Sequence, residues 1–266
     1  MLGNRLRILM YHSISHDPND EWAVSPEAFR EQIEWLVANE FKVVPLEKAL
    51  AMMENRGDLR KSIVLTFDDG YADFLDNAAP ILSRHRFPAT LFVVMGRVGA
   101  TSEWSSRGIR RPLLGWDALK NVVDLGYTIG SHTMTHPRLS SLNPNTMAWE
   151  VEESLAALKK QIGGDFYPFA YPYGDYTDRV VEEVATAGYH CALTAGGLWG
   201  NGYNSHPFLL TREPVMGNWD FQSFRAAMSS HHELTDEGVT WPKAVRPVAR
   251  IVGRITGVGA GRSVIK

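Results

Sequence analysis

Short runs of aliphatic, β-branched and aromatic residues punctuate the chain at Ile8–Met10, Phe41–Val44, Ile63–Phe67, Thr90–Val94, Tyr127–Ile129, Phe169–Tyr171 and Cys191–Thr194. Near-continuous apolar runs suit strands buried on both faces, so these predict seven strands of a covered, parallel sheet. Between them the apolar positions recur at three and four. Phe29, Ile33, Leu36 and Val37 share one face of a predicted helix, and Met147, Val151, Leu155, Leu158 and Ile162 share one face of another. Each helix has a start signal, Ser25-Pro26 and Asn143-Pro144. The side-chain oxygen caps free N–H groups, and proline fills a position whose N–H has no partner inside the helix. Repeated alternation places a parallel sheet inside a layer of helices. Seven strands at this length predict closure, giving an α/β fold of the distorted (β/α)7 barrel type in a single domain.

Composition changes this picture only at the edges. With 266 residues, 44% apolar and 11% aromatic, the chain can bury one large core. The net charge of -3 offers no basic face for a phosphate backbone, and no nucleic-acid partner is expected. Residues 241–266 hold six Lys/Arg and no acid, leaving 21 basic against 30 acidic residues elsewhere. A single cysteine, Cys191, excludes an internal disulfide. The start, MLGNRLRILMYHSI, has only a short apolar stretch broken by Tyr11 and His12, so no secretory signal is expected. Apolar stretches such as Ala89–Met95 fall far short of the roughly 20 residues needed to span a bilayer. These features predict a cytoplasmic protein or one peripheral to a membrane. In the tail, Val248, Ile251, Val252 and Ile255 form an apolar stripe beside Arg246, Arg250 and Arg254, a pattern that suits peripheral membrane contact. Gly253, Gly257, Gly259 and Gly261 oppose a helix there, so a docked or frayed terminus is the alternative.

Candidate chemistry gathers at predicted strand ends, where barrels of this kind build their sites. IVLTFDDG, Ile63–Gly70, runs from a buried strand into two adjacent carboxylates, Asp68 and Asp69; Asp-Gly is also ordinary turn chemistry. His132 and His136 are four apart, which in a helical turn puts both imidazoles on one face, although Pro137 disfavours a continued helix. Combined with a carboxylate from another segment they make a two-histidine, one-carboxylate set, which suits catalytic zinc and also non-haem iron. His12 follows the first predicted strand. Aromatic residues crowd the loops at Tyr71, Trp104, Trp116, Tyr173, Tyr176 and Trp199, either as buried anchors or as a platform for sugar rings.

Together, Thr66-Phe-Asp-Asp-Gly70, then Ser131-His132-x-x-x-His136 about sixty residues later, then Phe169-Ala-Tyr-Pro-Tyr-Gly174, resemble the three motifs of the polysaccharide deacetylases, the NodB-like carbohydrate esterase family 4. The resemblance runs through roughly residues 8–230 and implies a deacetylase domain over 1–240, followed by the basic tail 241–266. It implies Asp69, His132 and His136 as ligands of a divalent metal, zinc above others. It implies Asp68 as general base and the backbone N–H of Tyr173 as an oxyanion partner. The leaving amine needs an acid. In most of the family this is a C-terminal histidine, which His231 or His232 resembles only loosely, whereas Leu9-Met-Tyr-His12 resembles the poly-N-acetylglucosamine deacetylase subgroup, whose acid lies at the N-terminus. Where the family usually has an arginine two residues before the third-motif proline, this chain has Ala170, and Arg212 is the candidate replacement that keeps Asp68 ionised. The implied substrate is an N-acetylated, GlcNAc-containing glycan or precursor. Removal of O-acetyl or N-formyl groups, or a catalytically silent carbohydrate-binding protein, are the alternatives. A magnesium phosphatase would have no need of two imidazoles.

Overall fold

The computed structural model describes residues 4–105, 107–196 and 200–229. Ten strands occur among them: β1 (Arg7–Tyr11), β2 (Ser13–Ile14), β3 (Ala23–Val24), β4 (Lys42–Val43), β5 (Ser62–Phe67), β6 (Thr90–Val93), β7 (Thr128–Ser131), β8 (Pro168–Ala170), β9 (Cys191–Leu193) and β10 (Glu213–Pro214). The α-helices are α1 (Pro26–Ala38), α2 (Leu46–Glu54), α3 (Ala79–His85), α4 (Trp116–Asp124), α5 (Pro144–Gln161), α6 (Asp178–Ala187) and α7 (Phe221–Ser229). Eight strands form one sheet in the order β10-β1-β5-β6-β7-β8-β9, with β4 also beside β5, while β2 and β3 pair separately. The strand pairings are parallel. The sheet curls into the expected distorted (β/α) barrel. Its ends meet through the segment before and within β10: Thr194 N–H donates to Leu210 O at 2.8 Å on one side, and Val215 N–H to Met10 O at 2.9 Å on the other.

All seven expected strands are present, with Phe41–Val44 shortened to two residues. The eighth, β10, has no apolar run to announce it. Both start signals act as caps: Ser25 Oγ accepts from Ala28 N–H at 3.1 Å, and Asn143 Oδ1 from Thr146 N–H at 3.0 Å. One expected core position is wrong. Val37 is 42% exposed, because α1 buries Phe29, Ile33 and Leu36 and the following turn carries residue 37 off that stripe.

Side chains alternate across each strand, and that alternation aims the chemistry. Ile63, Leu65 and Phe67 pack outward with Phe29 and Ile33 of α1, while Val64 packs inward with Ile8, Phe92, Ala170 and Leu193. Continuing the inward parity past the strand ends leads from Ile8 to His12 and from Val64 through Thr66 to Asp68. No helix among the described residues is long and apolar enough to cross a membrane. The tail 241–266, with its basic stripe, lies outside the described residues.

Candidate metal and catalytic site

Asp68 and Asp69 leave β5 in opposite ways. Asp68 stays in register, its N–H donating to Tyr11 O at 2.9 Å. Asp69 adopts φ 71°, a left-handed turn that swings the second carboxylate back over the barrel mouth. Both are buried, and so is Arg212, which is 1% exposed. Its guanidinium forks onto Asp68, Nη1 to Oδ1 at 2.6 Å and Nη2 to Oδ2 at 2.7 Å, while Nε donates to Thr194 O at 3.0 Å. Burial alone would raise the Asp68 carboxyl. Arg212, helped by His132 and His12, more than offsets it and holds Asp68 at about 2, fully ionised near neutrality.

Asp69, His132 and His136 each present one donor atom within 4.8 Å of the others. His136 Nε2 lies 3.4 Å and His132 Nε2 3.7 Å from Asp69 Oδ1. His132 Nδ1 is 2.8 Å from Ala170 O, which assigns the proton to Nδ1 and leaves Nε2 as a lone pair. Burial pushes His132 down to about 4 and His136 to about 3, so both rings are neutral at physiological pH. Asp69 Oδ1 is buried with no hydrogen-bond partner among the described residues. The His132 lone pair, a neutral His136 ring and an orphaned anionic oxygen converge, and a divalent cation fits that arrangement.

The histidine pair does not meet through a helical turn. β7 ends at Ser131, and the chain reverses through Thr133 at φ 68° and His136 at φ 65°. Left-handed backbone costs about 1–3 kcal/mol per non-glycine residue and needs external support, above all at a β-branched threonine. Met95 N–H donates to Thr133 O and Gly96 N–H to Met134 O, both at 2.9 Å. A Cβ on Gly96 would lie 2.6 Å from Met134 O, so only glycine permits this approach. From the other side Glu150 of α5, 3% exposed, accepts from Met134 N–H and Thr135 N–H at 2.9 Å each and from the Thr135 hydroxyl. Sequence reading missed Glu150. Its signal was an acid on the otherwise buried Met147–Val151–Leu155 face.

A cavity of about 390 Å³ opens beside this cluster. His12 lines it, ring to ring with Trp22 at 4.4 Å. Trp104 stacks on His136 at 4.6 Å, and Tyr173, on the Pro172–Gly174 turn at φ 59°, lies 4.7 Å from the same ring. Arg138 sits 4.4 Å over the Tyr173 ring. Tyr71 also lines the cavity. The loop aromatics divide between the two expected roles: Tyr71, Trp104 and Tyr173 line the cavity, Trp116 packs on the core, Tyr176 is 40% exposed and touches Tyr171, and Trp199 lies outside the described residues. Trp22 and Arg138 line the cavity as well, neither distinguishable in sequence from ordinary loop residues. His231 and His232 also lie outside the described residues.

A parallel barrel with a buried two-histidine, one-carboxylate cluster and an arginine-paired, ionised carboxylate at its mouth defines a class, the (β/α) barrels with a candidate metal site at the rim. The family model of polysaccharide deacetylases matches residues 55–192, about half of the chain. The chain belongs to the polysaccharide deacetylase family. It is 34% identical to the chitooligosaccharide deacetylase of Rhizobium leguminosarum bv. phaseoli over 137 residues, which are 50% of this chain and 54% of that protein. It is 26% identical to the poly-beta-1,6-N-acetyl-D-glucosamine N-deacetylase of Staphylococcus aureus (strain MRSA252) over 195 residues, 70% of this chain and 66% of that one. It therefore spans less than two thirds of the length of these relatives. The Streptococcus pyogenes deacetylase PplD, solved in complex with acetate, superposes with a TM-score of 0.73 at 25% identity, covering 85% of this chain and 99% of that chain.

Proposed function

We propose that this protein is a metal-dependent hydrolase that removes N-acetyl groups from a GlcNAc-containing polysaccharide or glycan precursor. The observation that carries the reading is the buried Asp69, His132 and His136 cluster set beside Asp68, a carboxylate that Arg212 keeps ionised. Asp69, His132 and His136 would hold the ion, and two imidazoles with one carboxylate favour zinc among divalent metals. Such an ion, when bound, supplies Lewis acidity toward a water and an amide carbonyl.

The chain's own groups supply the proton transfers. Asp68, anionic and confined by the guanidinium fork, accepts a proton from the attacking water. His12 delivers one to the departing nitrogen, which cannot leave as an amide anion. The backbone N–H of Tyr173 donates to the carbonyl oxygen as it gains charge. Arg212 touches no substrate atom in this scheme and acts through Asp68. Trp22, Trp104 and Tyr173 offer apolar ring faces around the cavity to the C–H faces of a sugar. The named activities of the S. aureus and R. leguminosarum relatives support an acetylated glucosamine polymer as substrate.

Acetate release from poly-β-1,6-N-acetylglucosamine and from chitooligosaccharides by zinc-loaded protein tests the proposal. Asp68→Asn should abolish release while leaving zinc content unchanged. Equal acetate from wild type and variant would overturn the assignment of the base, and no acetate from either substrate would overturn the substrate class.

A further inference from the structure

We propose that Glu150 is a positioning residue for the metal pair, fixing the separation of His132 and His136 through the loop between them. This rests on the metal reading above. A carboxylate among Met147, Val151 and Ser154 on the buried face of α5 loses its hydration, and an apolar residue there would pack the helix equally well. What the carboxylate gains is three donors: Met134 N–H, Thr135 N–H and the Thr135 hydroxyl. All three come from the two residues midway between the histidines.

The loop is held on two sides. Its carbonyls at Thr133 and Met134 accept from Met95 and Gly96 N–H in the turn just beyond β6. Its N–H groups end on Glu150, and His136 N–H closes the turn onto Thr133 Oγ1 at 3.0 Å. Without Glu150 the Met134 and Thr135 N–H groups lose their acceptor, and the loop is held on one side only, through the Thr133 and Met134 carbonyls, with the half that leads into His136 released. His132 would stay, anchored by β7 and Ala170 O. His136 would drift from Asp69, and a three-ligand site would lose one arm.

The test is zinc affinity of the full chain, stripped with chelator and titrated against a chromophoric competitor, with circular dichroism confirming the fold. Glu150→Ala should weaken zinc binding by about 10–100-fold, as loss of an outer partner of metal ligands does. Glu150→Gln should stay near wild type, since its carbonyl can accept both N–H groups while its amide donates to the Thr135 hydroxyl. A folded E150A that binds zinc as tightly as wild type overturns the assignment, as does an E150Q that falls as far as E150A. Should E150A not fold, Thr135→Val decides, because Thr135 is exposed and its loss removes one of the three bonds. Weaker zinc binding by T135V supports the assignment, and unchanged binding overturns it. If wild type itself fails to bind zinc, the metal reading falls and this assignment with it, whereas tight wild-type binding with unchanged variants sinks the role of Glu150 alone.

Discussion

Replacing Arg212 by methionine removes the guanidinium while keeping the length and apolar stem of the side chain. Asp68 would then be a buried carboxylate with no counter-charge, and Thr194 O would lose its donor. The native protein holds Asp68 at about 2 against 3.8 for a free side chain. At about 1.4 kcal/mol per pKa unit this is on the order of 2–3 kcal/mol of folded-state stabilisation. Because the depressed group binds fewer protons when folded, that stability is present above about pH 3.8 and is lost as pH falls toward 2. Breaking a buried pair costs more than the linkage alone, about 3–5 kcal/mol, since the remaining charge is left uncompensated. Urea unfolding of chelator-treated protein at pH 7 measures it. The double variant Asp68→Asn, Arg212→Met should recover much of the loss, because a neutral amide does not need the guanidinium. An R212M protein within about 1 kcal/mol of wild type, or a double variant no more stable than R212M, refutes this account of the pair.

Three further outcomes are expected. His12→Ala should lower kcat for acetate release by about 10²–10⁴-fold with zinc content unchanged, and a loss smaller than tenfold would remove His12 as the acid. Burial raises Glu213 to about 7 despite Arg7 at 3.4 Å, so stability should fall as pH rises from about 4.5 to 7. Glu213→Gln should remove that slope, worth about 2–3 kcal/mol, and identical pH–stability curves would show that Glu213 titrates normally in the fold. Gly217→Ala would place a Cβ 2.0 Å from Ala23 O, forcing apart the segments that hold Trp22 against His12. It should lower stability by about 1–3 kcal/mol and reduce kcat, and thermal melting with turnover at saturating substrate would expose a neutral effect.

The sequence carried the barrel because buried parallel strands need apolar runs and capped helices need particular residues at their starts. β5 was legible on both counts, being apolar from Ile63 to Phe67 and ending in carboxylates. β10 was not, since Glu213–Pro214 is a strand only because the barrel closes there, and no local pattern encodes closure. The spacing of His132 and His136 was legible but its usual physical meaning misled. A separation of four suits a helix, yet the rings meet through two left-handed residues held by Gly96 and Glu150, contacts made by the turn after β6 and by α5 rather than by the loop's own sequence. Val37 shows the same limit at smaller scale: periodicity names a stripe but not where neighbouring elements stop covering it.

Arg212 stands in the seam where the last part of the sheet returns to the first, three residues beyond Leu209 and one before β10. The charge that keeps Asp68 deprotonated therefore arrives from the far end of the fold, 144 residues downstream. A chain growing from its N-terminus acquires both aspartates, both histidines and His12 long before it acquires that cation. Until the seam zips shut Asp68 lacks the guanidinium that fixes its position, so under the proposed mechanism turnover would report complete assembly rather than local order around the histidines.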